Sequence, residues 1–198
     1  MRFSTATSKT LGIVILSMLG GQSLVDGQNQ IRYDGFQLVD KTGSIGMPSN
    51  YRDTFQMMGA YAVVDPKGNE LHYSYASPGA IDSYRRNGKF ADGSVLVKEV
   101  YGTEHAQLTT GNANWASNIK VWFVLIKDSK GRYANSPLWG EGWGWALFKS
   151  DAPGKQVATD YKKDCLSCHV PAKADDWIYV KGYPTLHSAT EITISPRR

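Results

Sequence analysis

The sequence Cys165-Leu166-Ser167-Cys168-His169 lies near the C-terminal end of a chain of 198 residues. Two thiols separated by two residues can each add to one vinyl group of a porphyrin. The histidine that follows them then lies over the centre of the ring, where its imidazole can bind iron. The motif therefore predicts one covalently attached c-type haem per chain, with Cys165 and Cys168 as tethers and His169 as the axial ligand of the iron.

Two other kinds of site are built from closely spaced cysteines. A thioredoxin-like redox dithiol belongs to a βαβ unit, and the sequence around the motif does not predict one. A closed zinc site needs about four ligands, and the chain has no second Cys/His pair. Because the two cysteines of the motif are the only ones in the sequence, haem attachment leaves none for a structural disulfide.

Residues 1–27 have the pattern of a secretory signal peptide. Two basic residues precede a short apolar core over 11–19, and small residues follow it, with cleavage expected after Ser23 or Gly27. The apolar core is shorter than the ~20 residues that span a bilayer, and an uncleaved anchor is the alternative. Because haem attachment of this type takes place outside the bacterial cytoplasm, the leader and the motif agree, and we predict a periplasmic protein.

The remaining residues, 28–198, are enough for one domain of ordinary size, and we predict a single haem domain. The formal net charge of the whole chain is +4, and its Lys and Arg residues form no concentrated run. This weakly basic balance gives no support to a nucleic-acid-binding function. It predicts only a mild preference for anionic partners.

Apolar periodicity and turn residues predict about five strands and two or three short helices. The spacing of Tyr51, Phe55 and Met58 predicts a helix over about 49–58. The Gly-, Asn- and Thr-rich stretch 102–118 is typical of a loop. The other predicted elements are a β-hairpin with its turn at 65–69, a helix over about 78–88, and strands over 94–101, 120–127 and 143–148.

The order of these elements indicates the fold class. Small electron-carrier cytochromes place Cys-x-x-Cys-His near the start of an all-helical chain. Four-helix cytochromes place it near the end but need long amphipathic helices, which this sequence does not predict. Strands followed by a C-terminal haem motif instead predict an α+β fold, with a mainly antiparallel β-sheet and a few short helices packed on it.

Four stretches make the sequence resemble the cytochrome P-460 family, from about residue 51 to residue 186. They are YRRNGKF (84–90), DGSVLVKEV (92–100), PLWGEGWGW (137–145) and DYKKDCLSCHVP (160–171), the last continuing through DWIY (176–179). The resemblance implies a β-rich homodimer with one c-type haem in each subunit and a five-coordinate iron. In the enzymes of the family it also implies a lysine bonded to the porphyrin edge and the oxidation of hydroxylamine. A sister group, cytochrome c-prime-beta, shares the fold, lacks the lysine bond and binds nitric oxide.

Lys98 matches the position of that lysine in the family's motif. Side chains alternate along a strand, so Leu96, Lys98 and Val100 share one face, where a charged amine is costly to bury. Burial lowers the pKa of a lysine and leaves a nucleophilic free amine, which bonding to a porphyrin edge requires. The alternatives are an ordinary surface or edge-strand lysine and a bond from Lys89, which we expect to lie in an exposed loop.

An electron carrier normally places a second His or Met on the iron, opposite the axial histidine. The candidates for that position are Met47, Met57, Met58, His72, His105 and His187. Helical spacing assigns Met58 to the core beside Tyr51 and Phe55, and no pattern distinguishes the other five as ligands. We therefore predict an open position on the iron, which is typical of haem proteins that bind or transform small molecules.

A carboxylate close to that open position could assist proton removal from a bound substrate. The candidates are Glu99, Asp128 and Glu141. Alternation turns Glu99 away from Lys98, and Asp128 opens a predicted turn, so neither is favoured, and Glu141 has no distinguishing context beyond its Gly- and Trp-rich neighbours. The aromatic residues of the same stretches fit a core or a haem wall better than a catalytic role: Phe123, Trp139, Trp143 and Trp145.

Together these expectations describe a periplasmic enzyme that oxidises hydroxylamine to nitrous oxide or nitric oxide at a five-coordinate haem iron. We expect Lys98 to retune the haem through its bond to the ring, and a soluble cytochrome to accept the electrons. One alternative is a nitric-oxide-binding cytochrome of the c-prime-beta type without turnover, which would lack the Lys98 bond. A second alternative is an electron-transfer cytochrome c, which would have a six-coordinate iron.

Overall fold

A seven-stranded antiparallel β-sheet carries most of the secondary structure in the computed structural model, which describes residues 33–187. The predicted leader, residues 1–27, lies outside the described residues. The strands are β1 (Gln56–Val63), β2 (Glu70–Ala76), β3 (Val95–Leu108), β4 (Gly111–Lys127), β5 (Trp139–Gly140), β6 (Trp143–Lys149) and β7 (Ala152–Gln156). Their order in the sheet is β1-β2-β3-β4-β6-β5, and β7 pairs with β6.

The helices of the described residues are short. They are α1 (Tyr51–Thr54), α2 (Ala80–Asn87) and α3 (Ser167–His169), a π-helix over Lys162–Leu166, and 3-10 helices over Gly35–Leu38, Val170–Asp175, Val180–Gly182 and Pro184–Leu186. This architecture confirms the predicted α+β class with a mainly antiparallel sheet. Within residues 33–187, no helix is both long enough and apolar enough to cross a bilayer.

The sheet buries a separate apolar cluster on each of its faces, because side chains alternate along the strands. Val97 of β3 and Val124 of β4 belong to the cluster on one side, which we call the back face. Leu96 and Trp145 belong to the cluster on the other side, together with buried residues of the C-terminal segment 161–186. We call this second side the cleft face, and it positions the candidate site.

Several sequence predictions are confirmed. The hairpin is formed by β1 and β2, and the strands predicted over 94–101, 120–127 and 143–148 lie within β3, β4 and β6. The second predicted helix is α2, which ends at Gly88 with a left-handed backbone (φ 65°). Glycine adopts that conformation without steric cost, and the Gly88 N–H donates to the carbonyl of Tyr84 at 2.8 Å.

The predicted helix over 49–58 is wrong after its first turn. The helix α1 ends at Thr54, because Phe55 has an extended backbone (φ −96°, ψ 150°), and the next residue begins β1, which pairs with β2. Sheet pairing outweighs the helical spacing on which the prediction relied. In consequence Tyr51 and Phe55 pack on the back face, whereas Met58 is buried on the cleft face.

The predicted loop over 102–118 is also wrong, because β3 and β4 continue through it as a hairpin. Glu104 pairs with Trp115, and the pairing extends to Gly111, whose φ of 120° is typical of glycine in a tight turn. The other neighbours of these two strands, β2 and β6, end earlier. Residues 103–116 therefore project beyond them as a two-stranded ribbon, which we call the ribbon.

Gly144 of β6 lies so close to Trp139 that an added methyl group cannot fit. A Cβ at residue 144 would be 2.6 Å from the indole ring of Trp139, which is buried on the back face. We expect Gly144→Ala to lower the free energy of unfolding by about 1–3 kcal/mol through overpacking, measured by urea denaturation.

The matched control is Gly154→Ala, because a Cβ on Gly154 would have no atom within 4 Å. This substitution should change the free energy of unfolding by less than about 0.5 kcal/mol. Equal losses for the two variants would contradict the packing described for Gly144.

Candidate functional site

A cleft opens between the cleft face of the sheet and the C-terminal segment. Its empty volume, including the part open to solvent, is about 820 Å³. Lys98, Cys165, Cys168 and His169 all line it. Lys98 comes from β3 and the other three come from the C-terminal segment, so the fold brings together in one cleft every residue that the sequence predicts for the site.

The two cysteines lie on consecutive helical turns of different types. Cys165 belongs to the π-helix, a type of turn that is frequent at functional sites, and Cys168 belongs to α3. Cys165 is buried, Cys168 is exposed, and neither is in a disulfide. Burial raises the pKa of the Cys165 thiol to about 11. Two unpaired sulfurs that line one cleft are the donor set that two thioether bonds to a porphyrin need.

His169 presents one ring nitrogen to the protein backbone. Its Nδ1 is 2.7 Å from the carbonyl oxygen of Trp177, and because a carbonyl only accepts hydrogen bonds, Nδ1 carries the proton. Burial lowers the pKa of the imidazole, although the bond to Trp177 opposes this effect. The ring packs edge-on against Trp145, with 4.9 Å between centroids. His169 is therefore a neutral imidazole whose Nε2 lone pair is free to bind a metal.

Hydrogen bonds from outside the motif hold its backbone. The Asp164 carboxylate accepts the N–H groups of Thr159 at 2.7 Å and Asp160 at 3.1 Å, which joins the π-helix to the residues just before it. The hydroxyl of Tyr179 donates to the carbonyl of Cys168 at 2.5 Å. These contacts fix the turn on which both cysteines and the histidine lie.

Lys98 points into the cleft from the middle of β3. It pairs with Ser74 of β2 and with Phe123 of β4, and its Nζ lies 4.6 Å from the centroid of the Phe123 ring. Burial lowers the pKa of the amine, as the strand pattern predicts. Within residues 33–187, Nζ forms no ion pair with a carboxylate, and the negative charge of Glu70 opposes the effect of burial only in part. Lys89, the alternative lysine, is exposed beyond the end of α2.

Met58 is buried in the core, as predicted, but not in the cluster that the helical spacing indicated. Only 2 % of it is exposed, and it belongs to the cleft-face cluster and lines the cleft, whereas Tyr51 and Phe55 lie on the back face. The other candidates for a second iron ligand do not line the cleft. Met57 is exposed, Met47 packs on the back face, His72 contacts Glu70, His105 is exposed on the ribbon, and His187 contacts the carbonyl of Val180.

None of the three candidate carboxylates lines the cleft. Glu99 lies on the back face, where it accepts hydrogen bonds from Tyr51 and Arg52. Asp128 is buried against Arg132, at 2.8 Å, in the turn that the sequence predicts. Glu141 is exposed in the turn between β5 and β6. Alternation predicted the orientation of Glu99, whereas the position of Glu141 depends on a turn with φ 56° at that residue.

Hydroxyl groups belong to the polar lining of the cleft, together with Lys98 and the exposed Asp164. Ser74 and Tyr183 are hydrogen-bonded to each other at 2.8 Å, and Tyr61 lines the same part of the cleft wall. Burial raises the pKa of Tyr183, so its hydroxyl stays protonated. Sequence reasoning missed these residues, because only the register of β1, β2 and β3 brings Tyr61 and Ser74 beside Lys98.

The aromatic residues behave as the sequence indicated. Phe123 and Trp145 line the cleft, and Trp143 belongs to the same buried cluster. Trp139 packs on the back face instead. A cleft with an apolar wall, two thiols, a free imidazole nitrogen and an amine fits a haem attached through two thioethers. In that arrangement His169 would bind the iron.

Comparison with known families gives one match for this chain. The family model described as Cytochrome P460 matches residues 48–180, which is about two thirds of the chain. The matched range contains both β3 with Lys98 and the Cys165–His169 motif. A comparison with curated proteins gives no match.

Proposed function

This chain belongs to the cytochrome P460 family and is a c-type haem protein of that family, and we propose that it is a periplasmic enzyme that oxidises hydroxylamine. The products would be nitrous oxide or nitric oxide, and a soluble cytochrome would accept the electrons. The observation that carries the proposal is the convergence of Lys98, Cys165, Cys168 and His169 in one cleft.

We assign Cys165 and Cys168 to the covalent attachment of one haem per chain, and His169 to the iron. A haem iron with one free coordination position supplies the centre at which a small nitrogen compound can be bound and oxidised. The hydrogen bond from Nδ1 to the Trp177 carbonyl keeps Nε2 unprotonated, which makes the histidine a competent ligand. Phe123 and Trp145 belong to the apolar part of the cleft wall, against which the haem ring would pack.

We assign Lys98 to the bond with the porphyrin edge. Its amine is partly buried without a carboxylate partner among the described residues, and burial favours the neutral, nucleophilic form. A bond from Nζ to the ring would disturb the conjugation of the macrocycle and so change the reactivity of the iron. The position of the amine in the cleft supports this assignment over an ordinary surface lysine.

Proton transfer in the cleft would fall to hydroxyl groups. The Ser74–Tyr183 pair is a donor and acceptor at a fixed distance of 2.8 Å, and a hydroxylamine molecule is small enough to be oriented by it. Because the pKa of Tyr183 is raised by burial, the phenol is a hydrogen-bond donor rather than a base. We propose that this pair orients the substrate and passes a proton.

Met58 favours a second candidate function. A methionine thioether on the iron opposite His169 is typical of electron-transfer cytochromes, and Met58 is buried in the wall of the same cleft. The remaining alternative, a nitric-oxide-binding protein without turnover, differs from the enzyme in lacking the bond from Lys98.

We also propose that the protein is a homodimer, as the family resemblance implies, and that the ribbon forms part of the contact. The register of the ribbon places Ala106, Leu108, Ala113 and Trp115 on one side, where Glu104 is the only charged residue, and mainly polar residues on the other. Leu108 and Trp115 are 49 % and 41 % exposed. Because a two-stranded hairpin alone is at best marginally stable in water, an apolar side covered by the same ribbon of a second copy would stabilise it.

Lys98→Ala is expected to remove the bond to the haem and change the absorption spectrum of the purified protein. In the wild type, the peptide that contains residue 98 should remain joined to the haem peptide after proteolysis, and in the variant it should be released, as measured by mass spectrometry. Lys89→Ala is the control, since Lys89 is exposed, and it should behave as the wild type. An unaltered spectrum in Lys98→Ala would refute the cross-link.

The holoprotein is expected to show the absorption spectrum of a high-spin, five-coordinate haem and to reduce an artificial electron acceptor when hydroxylamine is added. Met58→Ala should leave that spectrum unchanged. A low-spin spectrum that becomes high-spin in Met58→Ala would show that Met58 is a ligand and favour electron transfer. Nitric oxide binding without any acceptor reduction by hydroxylamine would favour the binding protein.

Trp115→Lys is expected to convert the dimer into a monomer, because it replaces the largest exposed apolar side chain on that side of the ribbon with a charged one. The measurement is sedimentation velocity of the holoprotein, with circular dichroism to check the fold. Asn114→Lys is the matched control, since the neighbouring residue faces the polar side, and it should remain dimeric. A monomeric wild type, or a dimeric Trp115→Lys, would contradict the proposed contact.

A further inference from the structure

A buried ion pair lies beside the haem motif without contributing a side chain to the cleft. Lys127, at the end of β4, has its Nζ 2.5 Å from Oδ1 of Asp176, and the two side chains are only 8 % and 6 % exposed. The same Nζ lies 4.7 Å from the centroid of the Trp143 ring. Removing two charges from water is unfavourable and often cancels their attraction, so stability alone does not account for a pair in this position.

The backbone at Asp176 has a conformation that residues other than glycine rarely adopt. Asp176 has φ 57° and Trp177 has φ 69°, so two consecutive residues other than glycine are left-handed. Aspartate tolerates this region, because its short polar side chain can form local hydrogen bonds, but a bulky residue such as tryptophan rarely adopts it. Such residues persist only where their surroundings hold them.

Contacts on both sides of the Asp176 backbone hold this turn. The second carboxylate oxygen of Asp176 accepts the N–H of Phe90 at 3.0 Å, so the carboxylate joins β4 to the segment that follows α2. The backbone carbonyl of Asp176 accepts the indole N–H of Trp143 at 2.9 Å. The N–H of Trp177 donates to the carbonyl of Ala172 at 2.9 Å. The carboxylate is thus the charged anchor of a turn that is otherwise held by neutral hydrogen bonds.

The left-handed turn orients the backbone carbonyl of Trp177. The carbonyl of Trp177 points at Nδ1 of His169, at 2.7 Å. We propose that the Lys127–Asp176 ion pair is a positioning device that holds this carbonyl against the imidazole, and thereby sets the orientation and basicity of the axial ligand. The inference rests on the proposed role of His169 as the iron ligand.

The Lys127–Asp176 ion pair would thereby affect the haem iron, although neither side chain lines the cleft. A strong hydrogen bond from Nδ1–H makes the imidazole a better electron donor to a metal at Nε2, and a more basic axial ligand favours the ferric state. If Asp176 is no longer anchored, the left-handed turn can relax, the Trp177 carbonyl moves away, and the ligand becomes a weaker donor.

Asp176→Asn is the most conservative test. Asparagine tolerates the left-handed backbone and can still accept the N–H of Phe90 through its side-chain oxygen. Its NH2 group then faces Nζ of Lys127 and cannot accept from it, so the contact with Lys127 is lost while the contact with Phe90 is kept. Lys127→Met removes the other charge while keeping a side chain of similar length. In both holoproteins we expect the iron–histidine stretching band of the ferrous state, measured by resonance Raman, to broaden and move to lower frequency. We also expect the reduction potential to rise.

Lys120→Met is the matched control, because Lys120 lies on the same strand and also pairs with a carboxylate, Glu70, at 2.9 Å. It should keep the wild-type band and potential. Lys127→Arg retains the charge and should restore most of what Lys127→Met changes. If Asp176→Asn and Lys127→Met lower the stability without changing the band or the potential, the pair has only a structural role.

The outcomes separate the inference from the function on which it rests. A wild-type band and potential in both Asp176→Asn and Lys127→Met would overturn the positioning role, and Lys127→Met decides the question if Asp176→Asn does not fold. A wild-type holoprotein without any iron–histidine band would instead refute His169 as the ligand of a five-coordinate iron. That result would contradict the proposed function, whatever the variants show.

Discussion

The hydrogen bond between Nδ1 of His169 and the carbonyl of Trp177, at 2.7 Å, is the contact on which the proposed chemistry depends. It assigns the ring proton to one nitrogen and leaves the other free, which is the state of the imidazole that the proposed role as an iron ligand requires. The bond spans only eight residues, yet its acceptor lies in a left-handed turn that a charged residue of β4 anchors. The hydrogen bond that orients His169 therefore depends on the packing of the C-terminal segment against the sheet.

The alternation of β3 separates charge between the two faces of the sheet. Glu99 is fully buried on the back face, where Arg52 and the hydroxyls of Tyr51 and Tyr101 bind its carboxylate. Lys98, the preceding residue, enters the cleft and pairs with no carboxylate in the described part of the chain. Had one face carried both side chains, the lysine would have a close counter-ion, which favours the protonated amine. A single-residue alternation thus favours the neutral amine that a bond to the porphyrin requires.

The sequence was sufficient for features that depend on short-range patterns. The Cys165–His169 spacing, the alternation around Lys98 and the turn residues of the first hairpin predicted the haem motif, the orientation of the lysine and most of the strands. The errors came where pairing between strands outweighs local preference. Met58 fits a helical spacing but lies in β1, and the Gly-, Asn- and Thr-rich composition of 102–118 concealed an alternation that only the register of β3 with β4 reveals. Neither register nor the left-handed turn after the motif can be inferred from spacing.

The lining of the cleft bears on which substrates it can admit. Its polar groups include the amine of Lys98 and the hydroxyls of Ser74, Tyr61 and Tyr183, and much of the wall is aromatic or aliphatic. A cation would lose hydration in such a cleft without gaining a buried partner of opposite charge, because Asp164, the one carboxylate of the described residues that lines it, is exposed, and this loss is unfavourable. Hydroxylamine and nitric oxide are both uncharged in neutral solution and small, so neither incurs this cost. What distinguishes them is hydrogen bonding, because hydroxylamine both donates and accepts whereas nitric oxide offers no donor. A hydroxyl pair held at a fixed distance therefore favours hydroxylamine, and it is the physical reason to prefer turnover over simple binding.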